Sequence, residues 1–152
     1  MIQILQQFLI ATQPESLAFD SCGLNETRIQ QLAECLPKLK RLKSLDLSNN
    51  PLTDQGCFKL FLALEQCRLE RLLLPHCQVR NGAVRFLCDT NDTLKVLSFA
   101  DNPGIGRESY QLILDTVQHE FRIQRFCLDN CGLNNQQLHN IYHFCTRNVI
   151  SS

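Results

Sequence analysis

A leucine-rich segment recurs along the chain, and this recurrence constrains the fold more than any other feature. In the clearest copy, LKSLDLSNNPL over residues 42–52, leucine stands at positions 1, 4, 6 and 11 and asparagine at position 9. Further copies begin at Leu69, Leu94 and Ile123, and a weaker copy, LAFDSCGL, begins at Leu17. A period of this kind is typical of chains whose units stack side by side, because one unit alone cannot bury its apolar face.

The copies keep one register, both in the segment and in the stretch that follows it. The second leucine-like residues are separated by 28, 27, 25 and 29 positions: Leu17, Leu45, Leu72, Leu97 and Phe126. Counted from the last leucine-like residue, apolar residues recur at offsets 5, 8 and 9, and offset 8 holds Leu32, Leu60, Leu87, Ile113 and Ile141. These offsets share one face of a helix. Each repeat therefore predicts a short strand followed by an amphipathic helix.

The residue that opens the turn after each strand alternates between cysteine and asparagine: Cys22, Asn50, Cys77, Asn102 and Cys131. This alternation, and the phrase LDLSNNPLTDQG over residues 45–56, resembles the ribonuclease-inhibitor-like class of leucine-rich repeat proteins. The resemblance covers about residues 15–145. It implies that these five side chains form one buried ladder inside the turns, where backbone groups would otherwise lack partners. Cys22, Cys77 and Cys131 are accordingly expected to be buried and reduced.

The resemblance and the periodicity together predict an α/β leucine-rich repeat solenoid. We expect a short right-handed arc with five parallel strands on the concave face and helices on the convex face, in a single domain over residues 1–152. The repeats would begin near residues 14, 42, 69, 94 and 123. Residues 1–13 are predicted to form an N-terminal capping helix that covers the open end of the core with Ile2, Leu5, Phe8 and Leu9.

Composition excludes several classes of function. The formal net charge of the 152 residues is zero, whereas nucleic-acid-binding proteins usually carry a basic excess. The basic run Lys38, Lys40, Arg41 and Lys43 follows the first repeat helix, where cations complement the helix dipole. No apolar run reaches the length of a membrane span, and the N-terminus lacks the basic leader of a signal peptide. Nine cysteines, many at core positions, favour a reducing compartment and hence the cytoplasm.

Two groups of residues could suggest metal binding or catalysis, and both have simpler explanations. Cys127 and Cys131 form CxxxC, and His139 and His143 lie four apart on the last helix, as zinc ligands can. Cys131 belongs to the ladder, however, and both histidines flank the core stripe of that helix. His76 and Cys77 are neighbours on opposite faces of the chain and so cannot pair. No catalytic motif is present, and the sequence predicts no catalysis, metal or cofactor.

The candidate binding residues follow from the strand period. Within each LxL the leucines point inward, so their neighbours face the concave side. The middle repeat is distinctive because Leu73 stands where a polar or small residue is usual, with Arg71, His76 and Val96 around it. The complete predicted partner-binding set combines this centre with charged residues of the other repeats: Asp20, Asp46, Arg71, Leu73, His76, Val96, Asp101, Arg125 and Asp129.

These observations predict a non-catalytic module that binds, inhibits or regulates another protein through its concave face. The partner would be a protein such as an enzyme, and neither nucleic acid nor membrane. The alternatives are a self-associating scaffold, dimerising through the last strand, and an end domain of a larger cytosolic protein such as a tropomodulin or nucleotide-binding receptor. The chain also resembles the small leucine-rich repeat effectors that intracellular bacteria deliver into the host cytosol. Met1 leads directly into the first helix, which favours a stand-alone protein.

Overall fold

Strands and helices alternate along the whole chain. The computed structural model describes residues 2–90, 93–119 and 123–150. Within these residues lie six helices, α1 to α6, and five strands, β1 to β5: α1 Ile2–Thr12, β1 Ser16–Ala18, α2 Glu26–Cys35, β2 Ser44–Asp46, α3 Asp54–Leu64, β3 Arg71–Leu73, α4 Asn81–Thr90, β4 Val96–Ser98, α5 Arg107–His119, β5 Arg125–Cys127 and α6 Asn135–Ile150. A 3-10 turn, Leu36–Lys38, follows α2. Each predicted LxL segment is therefore a strand, and each is followed by a helix.

The five strands form one parallel sheet in chain order, β1-β2-β3-β4-β5. The second leucine-like residues stand directly opposite one another: Leu17 faces Leu45, Leu45 faces Leu72, Leu72 faces Leu97, and Leu97 faces Phe126. Repeat lengths differ without disturbing this register because the connecting helices vary from 10 to 13 residues. The prediction of an α/β leucine-rich repeat solenoid is confirmed.

The core lies between the sheet and the row of helices. Leu45, Leu47, Leu72 and Leu74 are completely buried, and all five residues at offset 8 are buried beneath them. Burying a leucine completely contributes about 1.5–3 kcal/mol, so this stack of leucines is the main stabilising feature of each repeat. Consecutive helices pack against each other along the convex side.

Side-chain caps fix where the helices begin. The Asn25 side chain accepts a hydrogen bond from the Arg28 N–H at the start of α2, and Thr53 accepts one from the Gly56 N–H at the start of α3. Asn134 and Gln137 exchange such bonds in both directions before α6. Each cap satisfies an N–H group that the first helical turn leaves without a partner.

The first repeat is less buried than the others. Leu17, Phe19 and Leu24 are only half-buried, although their counterparts in the next three repeats are buried. Cys22 is exposed, so the prediction that it is buried was wrong, whereas Cys77 is fully buried and Cys131 half-buried. The reason is positional: the preceding repeat covers each later turn, and no described strand precedes β1. All nine cysteines are free thiols in the structure.

The N-terminal helix packs against the first repeat with only part of the predicted face. Leu9 is buried, but Leu5 and Phe8 remain 44% and 60% exposed, so the predicted covering role of these two residues was wrong. Polar contacts hold the helix in this orientation: Gln6 donates a hydrogen bond to the Gln31 carbonyl, and Gln13 donates to the Lys38 carbonyl. The side chain of Ile2 lies outside the described part of the structure.

Buried thiols predict a loss of stability in alkali. Burial raises the pKa of Cys57 to about 12 and the pKa of Cys77 and Cys145 to about 11. In the unfolded chain these thiols ionise near their ordinary value of 9. Their contribution to the free energy of unfolding is therefore complete below pH 9. It is lost as the pH rises towards 11 or 12, because the folded protein keeps the thiols protonated at a pH where the unfolded chain ionises them. We expect the melting temperature to fall steeply above pH 9.

The variant Cys57→Ala provides the control for this prediction, because it removes the thiol with the largest rise in pKa. It should be less stable than the natural protein at pH 7 but lose less stability between pH 8 and pH 10.5. Differential scanning calorimetry across this range measures both effects. If the stability of the two proteins fell equally with rising pH, the loss could not be assigned to the Cys57 thiol.

Candidate protein-binding face

The concave face consists of two rows of side chains that alternate with the inward leucines. The register places the first residues of the five strands side by side in a first row: Ser16, Ser44, Arg71, Val96 and Arg125. The third residues of the strands form a second row: Ala18, Asp46, Leu73, Ser98 and Cys127. Above the second row lie the turns that follow the strands.

The structure brings all nine predicted binding residues to this face. Arg71, Val96 and Arg125 lie in the first row, and Asp46 and Leu73 in the second. The other four occupy the turns directly after β1, β3, β4 and β5: Asp20, His76, Asp101 and Asp129. The predicted set therefore spans the whole arc.

The centre of the face is apolar and flanked by basic residues. Leu73 is half-buried in the second row, beside Ser98, and Val96 is half-buried in the first row beside Arg71. Arg71 and Arg125 are exposed. Among the described residues, neither guanidinium forms an ion pair or a side-chain hydrogen bond. Both cations are therefore available to a partner.

The turns above the second row share one unusual backbone conformation. The corresponding residues have left-handed φ angles of 54°, 57°, 52°, 58° and 57°: Ser21, Asn49, His76, Asp101 and Asn130. Asparagine and aspartate tolerate this conformation better than most residues. It allows cross-repeat contacts along the rim, where Asn49 Nδ2 donates to Asp20 Oδ1 over 2.7 Å and Asn130 Nδ2 donates to Asp101 Oδ1 over 2.8 Å.

The carboxylates of the face have partners within the protein, which the sequence did not indicate. His76 Nε2 lies 3.4 Å from Asp101 Oδ2. Asp46 accepts the Ser48 N–H over 2.9 Å, and Asp129 accepts the Tyr142 hydroxyl over 2.9 Å. The acidic side chains thus help to shape the turns in addition to setting the charge of the rim. Positive and negative side chains therefore lie at opposite ends of the strands: the arginines where the strands begin and the carboxylates where they end.

A hollow of about 410 Å³ lies beside the His76–Asp101 pair. Gln78, Arg80 and Pro103 complete its walls. It lies among the turns that follow β3 and β4 and is large enough to take one side chain of a partner. Sequence reasoning missed it because its walls come from the turns of two repeats.

A row of side chains with alternating charge lies just before the strands, and it was not predicted from the sequence. Arg41 pairs with Glu15 over 2.7 Å, and Lys95 pairs with Glu70 over 2.9 Å, with Lys43 close to both carboxylates. The hydrogen bond from Arg41 lowers the pKa of Glu15, and that from Lys95 lowers the pKa of Glu70. Assigning Arg41 and Lys43 to a helix dipole was therefore incomplete. The signal was present as alternating charge at the residue before each of the first four strands: Glu15, Lys43, Glu70 and Lys95.

The residues considered for metal binding or catalysis do not assemble into a site. His139 and His143 are exposed on α6, whereas Cys127 lies on the concave face. The described residues include no group of three or more histidine, cysteine or carboxylate side chains placed to hold a metal ion. His76 is exposed and Cys77 fully buried, which confirms that these neighbours point apart. In the described part of the chain, no helix is long and apolar enough to cross a membrane.

Sequence comparisons identify relatives with the same repeats. The family model described as "Leucine Rich repeat" matches residues 39–61. Human NACHT, LRR and PYD domains-containing protein 5 is 32% identical over 125 residues, which are 78% of this chain and 10% of that protein. Pig ribonuclease inhibitor is 30% identical over 129 residues, 81% of this chain and 28% of the inhibitor. The mouse inhibitor is 33% identical over 139 residues, 88% of this chain and 29% of the inhibitor.

Two solved structures share the fold. The Caenorhabditis elegans tropomodulin C-terminal domain superposes with a TM-score of 0.82 at 11% identity, covering 99% of this chain and 94% of that domain. Actin-Binding Site 2 of leiomodin-1 gives 0.80 at 13% identity, covering 97% of this chain and 89% of that one. The fold and repeats define a leucine-rich repeat protein. Its turn ladder and relatives place it in the ribonuclease-inhibitor-like class of that family.

The chain spans only about a tenth of the NACHT relative and less than a third of the ribonuclease inhibitors. What those whole proteins do is therefore not transferred to it by similarity alone. The relatives named here are mammalian, which gives the expectation of a bacterial effector no support. Leucine-rich repeat homology does identify this chain as a protein-interaction module in general terms.

Proposed function

We propose that the concave face captures one protein partner without catalysis, acting as a regulator or inhibitor in the cytoplasm. Residues 1–152 would work as a single unit, with Arg71, Leu73, His76 and Val96 as the centre of contact. One observation carries this proposal: Val96 lies between Arg71 and Arg125, Leu73 stands in the neighbouring row, and neither arginine has a partner within the described part of the protein.

The anatomy of the face supports this assignment. Protein interfaces usually combine an apolar core with a polar rim, and arginine is enriched among the residues that dominate affinity. Here Leu73 and Val96 form the apolar part, Arg71 and Arg125 lie on one side, and Asp101 and Asp129 lie on the other. A standard interface of about 800 Å² per partner would occupy most of a five-strand face.

The names of related proteins are consistent with a protein partner. Pig and mouse relatives are named as inhibitors of ribonuclease, and the leiomodin fragment is named as a binding site for actin. These names describe those proteins. They support, for this chain, a protein ligand and an inhibitory or regulatory outcome.

Quantitative capture from the native cell tests the proposal. Three baits are compared: the natural protein, the concave variant Arg71→Ala/Leu73→Ala, and the convex variant Lys59→Ala/Arg85→Ala. We expect the same protein to bind the first and third baits in a saturable manner and to be depleted on the second. Equal recovery on all three baits would contradict the assignment of the concave face.

A further inference from the structure

The sheet is built from one repeated interface, and its first strand presents that interface to no described partner. In β2 and β3 the first residue donates its N–H to the preceding strand, as Ser44 does to the Glu15 carbonyl over 3.0 Å and Arg71 to the Lys43 carbonyl over 2.9 Å. The corresponding N–H of Ser16 points away from β2, where no described strand lies. Strand β1 is therefore an edge strand of the described sheet, and its outward backbone groups have the geometry to pair with another parallel strand.

An apolar cleft lies at the same end of the solenoid, between α1, α2 and the turn that follows β1. It has a volume of about 430 Å³ and is lined by Leu5 and Leu9 of α1, Phe19 and Leu24 of the first repeat, and Leu32 of α2. Helix α1 packs against α2 as each later helix packs against the next. It thus takes the place of a preceding repeat's helix, whereas no described strand takes the place of that repeat's strand. Phe19 and Leu24 are half-buried for this reason.

Two polar side chains that line the cleft, Cys22 and Gln31, lack contacts that an added segment could supply. Cys77 and Cys131 donate from Sγ to a carbonyl of the preceding repeat, at Leu47 and Phe99, each over 3.1 Å. The Sγ of Cys22 donates only within its own turn, to the Asp20 carbonyl over 3.4 Å, and has no such contact with a preceding repeat. Within the described residues, the buried Oε1 of Gln31 has no hydrogen-bond partner. Both side chains line the cleft, and both would be satisfied by backbone groups of an added segment.

We propose that this end of the solenoid binds an extended, leucine-rich segment of a partner as an additional parallel strand. The segment would place two apolar side chains, two residues apart, into the cleft, as each LxL places its leucines between neighbouring repeats. Its backbone would pair with Ser16 and supply Cys22 with the cross-repeat carbonyl that Cys77 and Cys131 have. Such strand addition combines backbone hydrogen bonds for affinity with side-chain pockets for specificity.

At the opposite end of the sheet a side chain occupies part of the place of a following strand, which argues against head-to-tail stacking of copies as the source of this strand. In the interior, Leu47 donates its N–H to the Leu73 carbonyl of the next strand over 2.9 Å. In the last repeat the corresponding N–H, of Leu128, is accepted instead by the Tyr142 hydroxyl over 3.1 Å. Tyr142 therefore takes part of the place of a following strand.

The probe for this proposal is a fluorescein-labelled peptide of sequence LKSLDLSNNPL, residues 42–52 of the chain itself. A matched peptide carries Leu45→Ser and Leu47→Ser. Fluorescence anisotropy with the full protein should show saturable binding of the first peptide and at least about tenfold weaker binding of the second, because two buried leucines are lost. The first peptide should also slow alkylation of Cys22, the one exposed cysteine among the nine.

The protein variant Ser16→Pro removes the edge N–H, and proline is tolerated on edge strands. Circular dichroism verifies its fold, and it should bind the peptide at least about tenfold more weakly than the natural protein. Absence of binding to the natural protein, or binding by both peptides with equal affinity and without protection of Cys22, would overturn the proposal. The Cys22 measurement decides the question on the natural protein even if Ser16→Pro fails to fold.

Discussion

Replacing Asn102 by alanine is expected to destabilise the protein by about 3–5 kcal/mol. The side chain is completely buried between the third and fourth repeats. Its Oδ1 accepts the N–H groups of Cys77 and Val79 at 3.0 and 2.9 Å, and its Nδ2 donates to three carbonyls at 2.8, 2.8 and 3.1 Å: Leu74, Phe99 and Ala100. Alanine would leave two buried N–H donors without an acceptor, and each costs about 1–3 kcal/mol.

The variant Asn102→Cys is the matched control, because cysteine occupies this turn position in three of the repeats: Cys22, Cys77 and Cys131. A thiol can donate to a carbonyl of the preceding repeat, as Cys77 does, and so should retain part of the stability. Urea denaturation of the three proteins gives the comparison. A loss below about 1 kcal/mol for alanine, or an equal loss for both variants, would show that the turn ladder is not a principal stabilising feature.

The double variant Arg71→Ala/Leu73→Ala is expected to weaken binding of the physiological partner roughly 30-fold or more, since truncating a central anchor typically costs at least about 2 kcal/mol. Leu73 is the large apolar side chain of the second row, and Arg71 is the neighbouring cation in the first. Neither belongs to the buried core, so the melting temperature should change little. Titration calorimetry with the captured partner measures the affinity.

The convex variant Lys59→Ala/Arg85→Ala controls for non-specific charge effects. Lys59 on α3 contacts Glu26 over 3.4 Å and Gln30 over 3.0 Å, and Arg85 is exposed on α4. Exposed pairs of this kind contribute about 0–1 kcal/mol, so affinity and stability should both be nearly unchanged. If the convex variant lost binding while the concave variant kept it, the binding surface would have to be moved to the helices.

The strands and the core could be predicted because they depend on residue periodicity within a unit that occurs five times. Offset 8 illustrates this: every copy is apolar and every copy is buried, from Leu32 to Ile141. The direction of the concave side chains also followed from the alternation along a strand. A single repeat would not have been sufficient to predict the fold. Because five copies agree, one departure such as Phe126 at a leucine position does not obscure the pattern.

The contacts at the two ends of the solenoid could not be predicted in this way. The pattern that the repeats share describes a repeat with a neighbour on each side, and each end lacks one described neighbour. Cys22 has the same place in its repeat as Cys77, yet only Cys77 has a preceding turn to cover it. The apolar stripe of α1 suggested that Leu5, Phe8 and Leu9 all face the core, whereas the helix held by hydrogen bonds from Gln6 and Gln13 buries only Leu9 of these three. The contact of Tyr142 with Leu128 likewise depends on the end of the sheet.

Hydrogen–deuterium exchange of the protein with and without its captured partner tests the central claim most directly. The concave-face account predicts that the partner slows exchange in β2 to β4 and in the turns that hold Asn49, His76 and Asp101, while α3 and α4 exchange at unchanged rates. Slowed exchange confined to the convex helices, with the strands and turns unaffected, would contradict it.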